Sequence, residues 1–239
     1  MLIAALNKLT LLDYPGKTAA IIFTAGCNMR CGYCHNAQFV LPEEIQKQKK
    51  DLMPWEEVRS FLKKRKGLLD GVVISGGEPT LQKDLKEKIK EIKSMGFLVK
   101  LDTNGTGPQI IKELLQENFL DFIAMDIKGS EAVYHQICGK KIDIKAIEKS
   151  IEIIMNSGID YEFRSTILPE YHSKDVLCEM GRMIQGSKTW ALQNFRKASV
   201  LDTRFYKKEA FKACELERLK SQVSSFVENL EIRDHVEIY

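Results

Sequence analysis

The chain has 239 residues, 44% hydrophobic and 29% charged, a composition that fits a globular protein with one substantial core or at most two small ones. Its 36 basic and 33 acidic residues leave a net charge of +3, too little to point to nucleic acid. No run of about 18 apolar residues occurs, which excludes a transmembrane helix. The opening MLIAALNKLTLLDYPG is broken by Lys8 and Asp13 and has no small-residue cleavage site after it, so it does not read as a signal peptide. Of six cysteines, three are clustered and three scattered (Cys138, Cys178, Cys214). That is no disulfide framework and suggests a reducing, cytoplasmic compartment.

In chain order, the first predicted strand is Ala19–Thr24. It leads into a loop holding Cys27, Cys31 and Cys34. A polar connector, Leu41 to Met53, precedes a helix predicted from Pro54 to Lys66. Its basic end, Lys63-Lys64-Arg65-Lys66, suits the negative end of the helix dipole and needs no nucleic-acid partner. Strand Val72–Ser75 follows, then a helix face of alternating Lys and Glu from Lys83 to Lys93 over a stripe of Leu85, Ile89 and Ile92. Strands Phe97–Thr103 and Phe122–Ile127 come next, then a helix over Lys145–Ser157. Strand Tyr161–Leu168, helix Lys174–Ile184, strand Trp190–Phe195 and a long C-terminal helix, Glu209 to Glu228, complete the series.

The strands are short and apolar on most positions, as buried parallel strands are. Their alternation with helices predicts an α/β fold of parallel strands. Six units are fewer than a closed eight-stranded barrel needs, so a (β/α)6 partial barrel is expected. Residues 1–239 are read as a single domain, without internal repeats.

Function in such sheets gathers at the C-terminal ends of the strands. The unusual residues fall there: the cysteine triplet after the first strand, SGGEPT (Ser75 to Thr80) after the second, DTNG (Asp102 to Gly105) after the third and MDIKG (Met125 to Gly129) after the fourth. The cysteine spacing, C-x3-C-x2-C, brings three thiols to one side of a tight loop. A structural zinc site is closed by four ligands, and His35 is too close to Cys34 in sequence to serve easily as the fourth. A [4Fe–4S] cluster usually takes four cysteines, so three would leave one iron open for chemistry. Incidental cysteines and zinc remain the competing readings. Gly76 and Gly77 let a ligand lie against the backbone, and Glu78 offers a carboxylate to an ammonium group. Neither a dinucleotide fingerprint nor a P-loop is present. Asn104-Gly105 suits a turn. Asp102 and Asp126 end apolar strands and need partners, either a ligand or cation, or a structural ion pair such as Lys128.

These residues resemble the radical S-adenosylmethionine enzymes: C-x3-C-x2-C with Tyr33 before the last cysteine, then G-G-E-P after the next strand. The match runs in order along essentially the whole chain. Within that superfamily, LDYPGK, YCHN, GGEPTLQ, LDTNG and MDIKG resemble the activases of glycyl radical enzymes. The opening LTLLDYPGKTAAIIFTAGC most resembles anaerobic ribonucleoside-triphosphate reductase activating proteins of the pyruvate formate-lyase-activase-like type. Gly32, Ala37 and Asn194 depart from that pattern, standing where proline is usual.

The resemblance implies a (β/α)6 partial barrel with Cys27, Cys31 and Cys34 holding a [4Fe–4S] cluster. S-adenosylmethionine would bind the open iron. Gly76, Gly77 and Glu78 would hold its ammonium group, Tyr33 would lie near the adenine, and Asn104 would stand in the same pocket. Asp102, Thr103 and Asp126 would bind a monovalent cation beside the cofactor, and Lys128 would contact its carboxylate. No match is found for the late-strand histidine of those enzymes, and Cys138, Cys178 and Cys214 match no ligand. The implied reaction is reductive cleavage of S-adenosylmethionine to a 5′-deoxyadenosyl radical, which removes hydrogen from a glycine of a partner enzyme. Flavodoxin or ferredoxin would supply the electron; neither nucleic acid nor membrane is an expected partner. The alternatives are a radical enzyme acting on a small molecule, of the 7-carboxy-7-deazaguanine synthase kind, and a non-catalytic metal-binding module.

Overall fold

The computed structural model describes residues 1–47, 50–197 and 200–234. Its sheet has eight strands in sequential order: β1 (Ile3–Thr10), β2 (Ala19–Thr24), β3 (Gly71–Gly76), β4 (Leu98–Thr103), β5 (Phe122–Asp126), β6 (Asp160–Ile167), β7 (Thr189–Asn194) and β8 (Asn229–Arg233). From β2 to β8 every neighbouring pair is parallel. All six predicted strands are present, with ends shifted by one residue at most.

Two further strands flank them. β1 runs antiparallel to β2, with Ile3 opposite Thr24 and Thr10 opposite Ala19. β8 follows directly on the segment, Glu209 to Glu228, expected as the C-terminal helix. The connector Leu41 to Met53 contains a short helix, α1 (Pro42–Lys47), and α2 (Trp55–Arg65) follows with Pro54 at its N-cap. The remaining helices are α3 (Leu85–Ser94), α4 (Pro108–Gln116), α5 (Glu131–Cys138), α6 (Ile144–Met155), α7 (Lys174–Met183) and α8 (Ala213–Val223). Among the described residues no helix is long and apolar enough to cross a membrane.

The strand period of two divides the sheet into two unlike faces. Ile22, Ile74, Leu101, Met125 and Phe163 point to the helices and are completely buried there, joined by helix residues such as Leu62, Ile89, Leu114 and Ile151. The opposite, concave face begins with a small cluster of Tyr14, Ala19, Ile21 and Val73 at the N-terminal ends of the strands. The Tyr14 ring packs against Phe122, centroids 6.0 Å apart, and closes that end. Beyond this plug the concave face turns polar.

Candidate active site

The loop after β2 is pinned at several points. Gly26 adopts φ +96°, and its N–H donates to the Phe39 carbonyl at 2.7 Å. Cys34 N donates to the Cys31 carbonyl at 3.0 Å, closing a turn that turns the cysteines to one side. Arg30 ties the loop to the end of α5: its N–H donates to the Cys138 carbonyl at 2.7 Å, and its guanidinium donates to the carbonyls of Cys27 and Met29, each at 2.7 Å.

Gly77 joins this loop to the one after β3. Its N–H donates to the Thr24 carbonyl at 2.8 Å, and Glu78 N donates to the Gly26 carbonyl at 2.7 Å. A Cβ on Gly77 would lie 2.0 Å from the Gly26 carbonyl oxygen, so this backbone-to-backbone approach requires glycine. The side chain of Asn36 donates to the Gly76 carbonyl at 3.0 Å.

These loops surround a cavity of about 350 Å³, within the range of small-molecule sites. Cys27, Cys31, Tyr33 and Cys34 line it from the β2 loop, and Gly76 and Gly77 from β3. Asp102, Thr103 and Asn104 line it from β4, and Asp126 and Lys128 from β5. Thus four consecutive strand ends deliver their unusual residues to one space.

Glu78 stands apart from this wall. It is completely buried beneath the loops, with Oε1 accepting from Thr80 N (3.1 Å), Thr80 Oγ1 (2.6 Å) and Thr103 Oγ1 (2.7 Å), and Oε2 from Asn104 N (2.7 Å). Burial raises its pKa, and these four donors oppose the rise. The carboxylate expected to meet an ammonium group instead cross-links the loops after β3 and β4, because a carboxylate buried so deeply must have its oxygens satisfied.

Cys31 is nearly inaccessible, while Cys27 and Cys34 are half-buried. Burial pushes the Cys27 thiol up to about 11 and raises that of Cys34. The neighbouring Cys138 thiol lowers the pKa of Cys31 by hydrogen bonding. Asn104 reaches toward the cysteines: its Nδ2 lies 3.8 Å from Cys27 Sγ and donates to Asn28 Oδ1 at 2.9 Å. Among the described residues no three His, Cys, Asp or Glu side chains converge as they would around a single metal ion. Cys27, Cys31 and Cys34 all line the cavity, so three thiols are available there to a cluster that keeps one iron open. The His35 ring turns to the Arg196 carbonyl, 3.2 Å from Nε2.

The Tyr33 ring packs edge-on against Phe205, centroids 6.1 Å apart, and its buried hydroxyl has no protein partner. An orphaned buried hydroxyl beside a cavity fits a polar ligand atom. A Cβ on Gly32 would lie 2.2 Å from the Phe205 ring, so the glycine that departs from the family pattern makes room for this packing. Asn194, another departure, exchanges two hydrogen bonds with the Phe211 backbone, at 2.9 and 3.1 Å.

Two cations absent from the sequence-based site pair with its aspartates, Arg164 at the cavity wall and Lys100 beneath it. Arg164 on β6 donates through Nη1 to Asp102 (3.3 Å) and through Nε to Asp126 (3.1 Å). Lys100, two residues before Asp102 on β4, donates to Asp102 at 2.6 Å, and Lys128 donates to Asp126 at 2.9 Å. The signal for each residue was a charge two positions from an acidic one in the same strand, Lys100 before Asp102 and Arg164 after Glu162.

A cysteine-lined cavity at the C-terminal mouth of a partial parallel barrel defines a class of cofactor-dependent α/β enzymes. The chain belongs to the radical SAM superfamily, whose model matches residues 21–177. It is an enzyme of that type, and its cofactors are a [4Fe–4S] cluster and S-adenosylmethionine.

A Methanocaldococcus jannaschii protein named for glycyl-radical enzyme activation is 34% identical over 97% of this chain and 95% of its own length. The pyruvate formate-lyase-activating enzyme of Clostridium pasteurianum is 28% identical over 83% of this chain and 80% of its own. Among solved structures, Streptococcus suis SuiB bound to its precursor peptide SuiA covers 90% of this chain and 48% of that one, with a TM-score of 0.64 at 15% identity. A domain of a Bacteroides vulgatus pyruvate-formate lyase-activating enzyme covers 68% of this chain and 98% of that domain, with a TM-score of 0.56 at 14% identity. These two structures share the fold.

Proposed function

We propose that this chain generates a glycyl radical on a partner enzyme, and that the partner is an anaerobic ribonucleoside-triphosphate reductase. The observation that carries the reading is the relative named for glycyl-radical enzyme activation, which aligns over nearly the full length of both chains. The opening LTLLDYPGKTAAIIFTAGC favours the reductase as partner. The small-molecule alternative has less support, since the relatives aligned along most of the chain carry activase names.

Cys27, Cys31 and Cys34 hold the cluster as thiolates. Gly76 and Gly77 present backbone to the methionine ammonium, with the Glu78 carboxylate fixing their loop from below. Lys128 receives the methionine carboxylate, Tyr33 meets the adenine and Asn104 braces the loop at Cys27. Phe23, Met29 and Val40 form an apolar wall of the same cavity and keep water from the reacting centre. When bound, the cluster and S-adenosylmethionine together supply one-electron cleavage of a sulfonium bond and a radical able to take a glycine hydrogen. Flavodoxin or ferredoxin supplies the electron, and the free thiols suit the cytoplasm.

The test is formation of 5′-deoxyadenosine by the reconstituted protein under strict anaerobiosis, with S-adenosylmethionine and a reductant. Formation stimulated by anaerobic ribonucleotide reductase, and unaffected by a deazaguanine precursor, is the expected result. Stimulation by the small molecule alone would overturn the assignment.

A further inference from the structure

A monovalent cation between Asp102, Thr103 and Asp126 is what the family resemblance implies, yet both aspartates are already engaged by cations of the protein itself. Each of the four carboxylate oxygens already has a cationic partner. Lys100 and Arg164 share Asp102, while Arg164 and Lys128 share Asp126. The Thr103 hydroxyl donates to Glu78 and accepts from Gly105 N at 3.2 Å. Three fixed positive charges face two negative ones, so a further cation would enter a site that already carries a surplus. In a poorly solvated cavity that repulsion is strong, and hard cations need several unclaimed oxygens.

Lys100 is the residue that tips this balance. It is 1% exposed. Its ammonium lies between the Asp102 carboxylate and the face of Phe122, 5.7 Å from the ring centroid. Being on the concave face two positions before Asp102, it reaches the carboxylate from below and stays clear of the cavity. Arg164 then couples Asp102 to Asp126, and Asp126 holds Lys128 at the cavity wall.

We propose that Lys100 is a built-in replacement for the inorganic cation: a positioning residue that fixes Asp102, Arg164 and Lys128 for the cofactor carboxylate without potassium or sodium. The proposal rests on the reading of this cavity as the S-adenosylmethionine site.

Equilibrium binding of S-adenosylmethionine to the reconstituted protein is measured in potassium, sodium and tetramethylammonium chloride at equal ionic strength. Wild type is expected to show the same affinity in all three, within about twofold. Lys100→Met is expected to bind about tenfold more weakly in tetramethylammonium and to recover in potassium. A purely structural lysine would show no such rescue.

A wild-type protein that needs potassium or sodium overturns the proposal. So does a Lys100→Met protein that binds normally in tetramethylammonium. If that variant does not fold, the wild-type salt series decides alone. Thallium(I) NMR of the wild type gives an independent readout: no saturable thallium signal is expected, and a specific one competed by potassium would overturn the proposal. Failure of the cofactor to bind in every salt would instead count against the proposed function, while the thallium titration would still decide the cation question.

Discussion

The two faces of this sheet are made by alternate residues of the same strands, and they share almost no chemistry. On β4, Val99 and Leu101 are completely buried against helices, while Lys100 and Asp102 face the concave side as an ion pair. On β6, Phe163 joins the helix-facing core while Glu162 and Arg164 carry charge inward. The helix-facing side gains stability from apolar burial at about 25 cal/mol per Å². The concave side desolvates charges, which costs stability unless each is paired. The fold therefore separates holding together from binding and chemistry by a single step along the strand.

The comparison can be broken most severely at the cysteine loop. Cys31→Ala is expected to abolish both the brown cluster, read by absorbance at about 400 nm, and 5′-deoxyadenosine formation. Cleavage at the wild-type rate would contradict the cluster assignment. On the helix-facing side, Leu101→Ala should cost about 2–5 kcal/mol in urea denaturation, while the folded fraction keeps its cluster and cofactor affinity. Gly77→Ala tests the junction of the β2 and β3 loops. It should cost about 1–3 kcal/mol through overpacking, and cofactor affinity should fall along with stability.

Acid titration probes the concave side. Burial alone would raise the Asp126 pKa, but the charges of Lys128 and Arg164 outweigh it and hold it at about 2. A depressed carboxylate stabilises the fold above its unfolded value. This contribution, on the order of 2 kcal/mol, is therefore complete above about pH 4 and is lost as pH falls through 2. Asp126→Asn should flatten that part of the stability profile. The smallest effect belongs to Leu12, 91% exposed in the loop between β1 and β2, where Leu12→Ser should change stability by no more than about 0.5 kcal/mol.

Legibility in the sequence followed the same division. Six strands were readable because runs such as AAIIFT and FIAMD are apolar on most positions, and the cysteines, glycines and aspartates sat visibly at their ends. β1 was not readable: IAALNKLT is an edge strand with Asn7 and Lys8 exposed, and its place is set by backbone pairing with β2. β8 went unread: it begins at Asn229, one residue past the end of the expected C-terminal helix, and is only five residues long. The chain leaves α8 through a 3₁₀ turn at Ser224–Phe226. α4 and α5 also went unread, although Pro108 opens the first and Gly139, at φ +62°, ends the second. The partners of the two aspartates were half readable. Lys128 lies two residues from Asp126 in sequence, whereas Arg164 meets it only through the register of β5 against β6.

The most direct test of the central claim is electron paramagnetic resonance on a strictly anaerobic mixture. It contains the reconstituted protein, S-adenosylmethionine, a reductant and the anaerobic ribonucleotide reductase of the same organism. A glycyl radical doublet that appears only in the complete mixture is the predicted result. Production of 5′-deoxyadenosine with no doublet on that partner would contradict its assignment, and absence of both products would contradict the account as a whole.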